Sequence, residues 1–591
     1  MKLLVLLLVL PVLLPVVLLL MLVQFSWTVP PPQEKSCGSA QTAYQIKVVT
    51  DDKKAPNWDS GKVASNQSVA VRESGPHRTT DKLAPGTGAT WTVKTWIGSC
   101  ESAESAPATF ITAISKSEGF GKGATYIGAA GKKSVFTYLR TAFVAPPAAQ
   151  VTRAIAFVTA TNECGGAHHR LSSTFGQCND GMTMHYKLYV QGQLASAGPG
   201  RGEAPLWGGN GHYRDSPYVT VDVSSMLPAA GGKTLLALET MNLKTSPGAL
   251  LLLKILGADG KWTTVATEPT KWKAFNADVY YNPTAPKKQH SAGNGAMEWT
   301  DARKEQQGWR DSLTFDDSAA GWGAAVEIQK PDAAQLTPRM GGAAVEVLPA
   351  SGHAAVAARG SGASFFVDFG KEFQGGLVLD VEGGVAGTEV TITTAEMCAP
   401  MKNTPAGNTS DTCTSVSQTW GWELHWTLRG SAQKIEQHQY MLFRYATVVF
   451  SKPPPASLKW KLSAWEARAP WVDSDTHFES SNKMMNSVWE LSAYTLKAAV
   501  MDTYADSNTR ERRPYEADGL IAASARMLLQ RSAVMWARHS HSWIITFPTW
   551  PVEWLQITPF LAQQDYWQTG QTDLFESYVD LLYDNTQVKN I

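Results

Sequence analysis

The chain has 591 residues, too many for one domain; at roughly 150 residues per domain it holds about four. It carries 52 basic and 52 acidic residues, a balance that offers no basic face and argues against nucleic acid as a partner. Aromatic residues make up 10% of the chain and 22 residues are Trp, a content that serves either packed cores or clefts where flat indole faces stack on sugars.

At the N-terminus one Lys precedes an apolar run from Leu3 to Val23. About 20 apolar residues suffice to span a bilayer, but Pro11 and Pro15 interrupt the run. A cleaved secretion signal over 1–28 is therefore expected, with a signal anchor as the alternative. A membrane is a partner only in the second case. The six cysteines fall as near neighbours, Cys37 and Cys100, Cys164 and Cys178, Cys398 and Cys413. No CxxC pair accompanies His168 and His169, so disulfides in an exported chain are favoured over zinc, and no metal site is expected. Asn66 and Asn408 open N-x-S/T sequons and are candidate glycan sites.

Next come short alternating runs broken by turn residues. "YQIKVVTDD", "SVAVRESG" and "TWTVKTW" predict a small fibronectin-III-like sandwich over 37–105. "SVFTYLRTAFVA", "AIAFVTAT", "MHYKLYVQGQLAS", "YVTVDVSS" and "TLLALET" predict a second all-β domain, a jelly roll, over 106–290. A linker is expected over 291–345, where a Gly/Ala-rich stretch begins. "ASFFVDFG", "GGLVLDVEG", "TEVTITTAEM", "WELHWTLRG" and "YATVVFSK" predict a further β-sandwich over 346–470. The period then changes. Met485, Val488, Leu491, Tyr494 and Leu496 follow helical spacing, with Ser480 or Ser481 as N-cap. "GLIAASARMLLQRSAVMWARHS" continues the pattern, and two more helices flank Gly570, so 475–591 reads as helical.

Between two predicted helices lies "DSNTRERRPYEADG", Asp506 to Gly519. Pro514 makes it a loop, and loops on rigid scaffolds are where chemistry tends to sit. Crowded carboxylates such as Asp506, Glu511 and Asp518 raise one another's pKa, while Arg510, Arg512 and Arg513 hold others ionised. One protonated acid beside ionised neighbours is what glycosidic bond cleavage requires. The plain alternative is a solvated loop laced with ion pairs.

The stretch resembles the signature loop of the inverting α-L-rhamnosidases, whose motif runs Asp, Arg, catalytic Glu, aromatic, Asp. Asp506, Arg510, Glu511, Tyr515 and Asp518 fill those places, with Tyr where many relatives have Trp. "WDSGKVASNQS", "YKLYVQGQLASAGPG", "FFVDFGKEFQGGLVLDVEGGVAGTEVTITTAEM" and "TFPTWPVEWLQITPFLAQQDYWQTGQTDLF" are similar to successive segments of the same family, in the same order. The resemblance implies β-sandwich and jelly-roll domains followed by the N-terminal part of an (α/α)6 six-hairpin barrel. It implies an exported enzyme that removes terminal α-L-rhamnosyl residues from a glycoside or polysaccharide, without a cofactor. Glu511 would be the general acid; Asp506, Arg510, Tyr515 and Asp518, with Trp550 and Trp554 of "PTWPVEW", would bind the sugar. The family's general base is a Glu far downstream that no residue here matches. On that reading the chain as given is cut short and should not turn over efficiently. A carbohydrate-binding relative without catalysis, or a six-hairpin glycosidase of other sugar preference, are the alternatives.

Outside the loop, Trp543 and the "GWELHW" strand read as core. His539 and His541, two apart on a helix, point different ways and do not form a metal pair.

Overall fold

The computed structural model describes residues 23–29, 37–51, 57–73, 83, 86–114, 120–121, 123–131, 135–161, 184–200, 215–242, 246–281, 298–319, 321–328, 335–339, 346–354, 357–400, 402–404, 407–409, 411–417, 422–509, 512, 515–530, 533–546 and 552–586. The chain divides into two compact units, Met1–Ala84 with Ala89–Phe110, and Pro85–Gly88 with Ile111–Ile591.

The first unit is a small antiparallel sandwich. Ala43–Thr50 pairs with Gly88–Ile97 along its whole length, so that Ile46 and Val48 alternate inward onto Trp58, Val71 and Val93. One boundary needs correction. Gln24–Phe25, expected within a signal over 1–28, is a strand paired with Val71–Arg72. Phe25 is 1% exposed in the core, and the Trp27 indole donates to Gln41 Oε1 at 2.9 Å. The apolar run ends at Val23, and the next apolar residues belong to the sandwich. Cys37 and Cys100 form a disulfide, their Cα atoms 5.6 Å apart.

The second unit begins with two facing sheets. One runs Val326–Glu327, Ile127–Gly128, Gly248–Gly257, Val151–Ala160, Asp215–Asp222, Gln335–Pro338. The other runs Gln193–Pro199, Met184–Val190, Gly232–Met241, Phe136–Ala145, Lys273–Asn276, Trp322–Ala324. Val158, Leu188, Leu238 and Leu253 fill the space between them. The expected linker over 291–345 is therefore not one. Trp322–Ala324, Val326–Glu327 and Gln335–Pro338 complete the two sheets, and Trp299–Asp301 joins the next domain by parallel pairing with Trp422–Thr427. Gly and Ala loosened the pattern there without removing the strands.

A ten-stranded sheet follows. Its central strand, Ser364–Glu382, pairs with Met441–Phe450 and then with Lys459–Arg468. Between Asp368 and Phe373 the register shifts at a bulge, and Gly370 adopts φ +83° there. Bulges bend a strand and re-aim its side chains. Here Phe369 stays in the sheet core, while Lys371 and Glu372 meet Tyr494 of the first helix. Cys398 and Cys413 close a local disulfide, Cα atoms 5.9 Å apart; Cys164 and Cys178 lie outside the described residues.

Among the described residues, six α-helices complete the second unit: α1 (Lys483–Ala499), α2 (Glu516–Leu529), α3 (Ala533–Thr546), α4 (Val552–Leu555), α5 (Thr558–Thr569) and α6 (Asp573–Thr586). The N-cap of α1 is Asn482 rather than a serine; its side chain accepts from the Met484 and Met485 amides. Ser480 is occupied with Asn486, to which its hydroxyl lies 2.8 Å away. The continuous pattern expected from Gly519 to Ser540 is two helices. Gln530 is extended and its amide group ties to Val472 N and O at 2.7 and 3.0 Å. Ile544, Ile545, Leu561, Ala562, Leu574 and Leu582 form the core shared by α3, α5 and α6. Met484, Met485, Val488 and Leu491 of α1 face solvent instead, as do Ile521 and Leu528 of α2. Among the described residues, no helix is long and apolar enough to cross a membrane. Trp58, Trp96, Trp272, Trp309, Trp322, Trp426 and Trp465 are buried, so much of the Trp content is packing.

Candidate active site

The polar stretch follows α1 and ends inside α2. Helix α2 starts at Glu516, so Asp518 sits in the first helical turn, where a carboxylate favours the positive end of the helix. Asp506 lies in the loop, half-buried. Arg510, Glu511 and Trp550 lie outside the described residues. Gly519 lets α2 approach α3 closely: a Cβ there would come within 2.3 Å of Ile544 Cδ1.

Arg512 organises the loop. It is 1% exposed and left-handed, with φ +55°. Its amide donates to Ser507 O at 2.8 Å and its Nε to Asn508 O at 2.8 Å, folding the loop back on itself. Its Nη2 donates to Tyr440 O at 3.3 Å, and the guanidinium lies 4.3 Å from the Tyr440 ring centroid. The loop is thereby pinned to the β-sandwich. Asn508 Nδ2 donates to Ala499 O at 2.5 Å, and Arg339 donates to Asp502 O. Thr503 Oγ1 meets Ser540 Oγ of α3 at 2.8 Å.

Tyr515 and Trp554 meet edge to face, centroids 5.6 Å apart, and both are half-buried. Of the residues expected to bind sugar, these two are brought together. Glu553 is exposed. Asn66 is exposed on the first unit, and Asn408 lies in the Lys402–Thr404/Gly407–Thr409 hairpin.

Two carboxylates that sequence reasoning passed over stand beside the loop. Glu396 follows the strand Glu389–Ala395 and accepts a hydrogen bond from Thr509 Oγ1, 113 residues away in sequence. Glu372 sits in the bulge of Ser364–Glu382, where Tyr494 of α1 donates to its backbone carbonyl at 2.8 Å. Burial, then the neighbouring Glu396, push the Glu372 carboxyl up to about 7; Arg444 opposes them. Burial, Glu466 and Glu372 push the Tyr494 hydroxyl up to about 12, against Arg468. No motif links positions so far apart, so only the fold reveals them.

Comparison with known proteins defines the class first. Residues 21–116 match the family model of the Rha78A-like N-terminal immunoglobulin domain. Residues 473–545 match that of the bacterial alpha-L-rhamnosidase 6 hairpin glycosidase domain. The chain thus combines an immunoglobulin-type N-terminal domain, β-sandwiches and a six-hairpin glycosidase segment, and the resemblance is to the α-L-rhamnosidases. Solved structures carry the same fold. The α-L-rhamnosidase of Dictyoglumus thermophilum superposes with a TM-score of 0.62 at 18% identity, over 92% of this chain and 60% of that one. That of Aspergillus terreus gives 0.56 at 18%, over 85% and 53%. The Streptomyces avermitilis enzyme complexed with L-rhamnose gives 0.52 at 16%, over 96% and 76%. The chain therefore spans 60% and 53% of the length of the first two. No curated protein sequence matches it.

Proposed function

We propose that the chain is the glycosidase-bearing part of an exported α-L-rhamnosidase that hydrolyses terminal α-L-rhamnosyl bonds with inversion. The observation that carries this reading is the overlap of the six-hairpin match, 473–545, with the whole stretch from Asp506 to Asp518. In it Glu511 protonates the leaving oxygen. Asp506, Arg510 and Asp518 hold rhamnose hydroxyls and tune Glu511, the two aspartates raising its pKa, while Tyr515, Trp550 and Trp554 pack against the sugar. A second carboxylate roughly 6.5–9.5 Å across the sugar must activate water for inversion. The family relation puts that base far downstream of the motif, and no residue is assigned to it. The two disulfides support export. The β domains would serve as accessory modules beside the helical one.

The test is Glu511→Gln in the protein expressed from its native gene. Turnover of a rhamnoside with a poor leaving group should fall at least about 10²-fold, and an aryl rhamnoside with a good leaving group should suffer less. The first product, followed by NMR, should be β-rhamnose. Equal losses on both substrates would remove Glu511 from the acid role. Failure of the wild type to release rhamnose while still binding it would favour a non-catalytic carbohydrate-binding protein. Release of a different sugar would favour a six-hairpin glycosidase of other specificity.

A further inference from the structure

The signature loop is anchored from outside the helical region. Thr509 immediately precedes Arg510 and Glu511, and its hydroxyl is held by Glu396 of the β-sandwich. We propose that Glu396 is a positioning residue for the candidate acid, and that its bond to Thr509 latches the loop to the β-sandwich. This rests on the reading of Glu511 as the acid, but the latch itself is a property of the loop's anchoring.

Thr509 can donate its single hydroxyl proton, so Glu396 must present a lone pair, which an ionised carboxylate does best. The bond joins residues 113 apart in sequence, so it ties the loop to the β-sandwich and not to its own helices.

Amide hydrogen exchange reads the latch without any need for turnover. In the wild type, amides of residues 505–509, corrected for intrinsic rate, should be protected. Glu396→Gln and Thr509→Val should each raise exchange at pH 6 at least about tenfold, the two together no further, since coupled partners are non-additive; Thr509→Ser should restore protection. In the protein expressed from its native gene, Glu396→Gln should lower kcat on a poor-leaving-group rhamnoside about 10- to 100-fold with little change in KM, the scale of a misplaced catalytic group. Unchanged exchange in both Glu396→Gln and Thr509→Val would overturn the latch, even with hydrolysis intact. The exchange pattern as expected, with no hydrolysis by the wild type, would keep the latch and sink the enzymatic reading instead.

Discussion

A single side chain shows how this loop is held. Arg512 combines a left-handed backbone, which L-residues adopt at a cost, with a buried guanidinium that satisfies two carbonyls and covers the Tyr440 ring. The two contributions separate by substitution. Arg512→Ala removes the side chain and keeps the strained backbone, leaving buried carbonyls unpaired at about 1–3 kcal/mol. Arg512→Gly loses the same contacts but relieves the φ of +55°, so it should melt above Arg512→Ala by calorimetry, and below the wild type. Equal melting of the two variants would show that the positive φ stores nothing. The polar stretch itself was legible as a loop between helices, because Pro and clustered charge interrupt an apolar period. The role of Arg512 was not, since three arginines in four residues look alike until one is buried.

At the scale of elements, the helical region was legible as such, but the number of its helices and their ends were not. The α2–α3 break was invisible because apolar residues on both sides keep the same spacing; it follows from the tie between Gln530 and Val472, which no local pattern encodes. His541 tells a related story. It was set aside as one half of an unlikely metal pair, yet in α3 its ring is fully buried, and neither nitrogen has a hydrogen-bond partner among the described residues. Burial pushes the imidazole down to about 3, against roughly 6.5 when unfolded. A depressed pKa means stability that is complete above about 6.5 and is lost as pH falls toward 3. His541→Leu should therefore flatten the acid-side fall in the denaturation midpoint of the helical region between pH 6.5 and 4. The same slope in variant and wild type would show that another group sets it.

Across the second unit, domains expected as beads on a linker are joined by a buried charged network. His438 of the ten-stranded sheet lies 2.8 Å from Glu239 and 2.9 Å from Met184 O of the jelly roll. Glu298 accepts from the His438 and Gln439 amides, each at 2.6 Å. Lys187, 1% exposed, donates to Gln437 O at 3.0 Å and covers Trp465, while Arg310 reaches Glu436 and Glu239 at 3.5 and 3.9 Å. Strand alternation revealed each domain, but charged residues inside strands read as surface, so the junction was hidden. Burial alone would raise Glu239; His438, Lys187 and Arg310 outweigh it and hold the carboxyl down to about 2. Its stabilisation is complete above roughly 4.3 and is lost as pH falls through 2. Glu298 and Glu305 are pushed up by burial and pull the other way. Glu239→Ala should cost about 3–5 kcal/mol at neutral pH, the usual effect of removing one partner of a buried pair. The deficit should shrink below pH 4. A loss under about 1 kcal/mol by calorimetry would show that the network is neutral toward stability.

The Cys37–Cys100 bridge closes a ring of chain that contains most of the first unit, its ends 63 residues apart. A ring tolerates a cut that a line does not. One proteolytic nick anywhere between those cysteines opens the ring without releasing a piece, because both fragments remain tied through sulfur. The damage stays hidden until reduction is combined with unfolding, and only then does the nicked chain part into two.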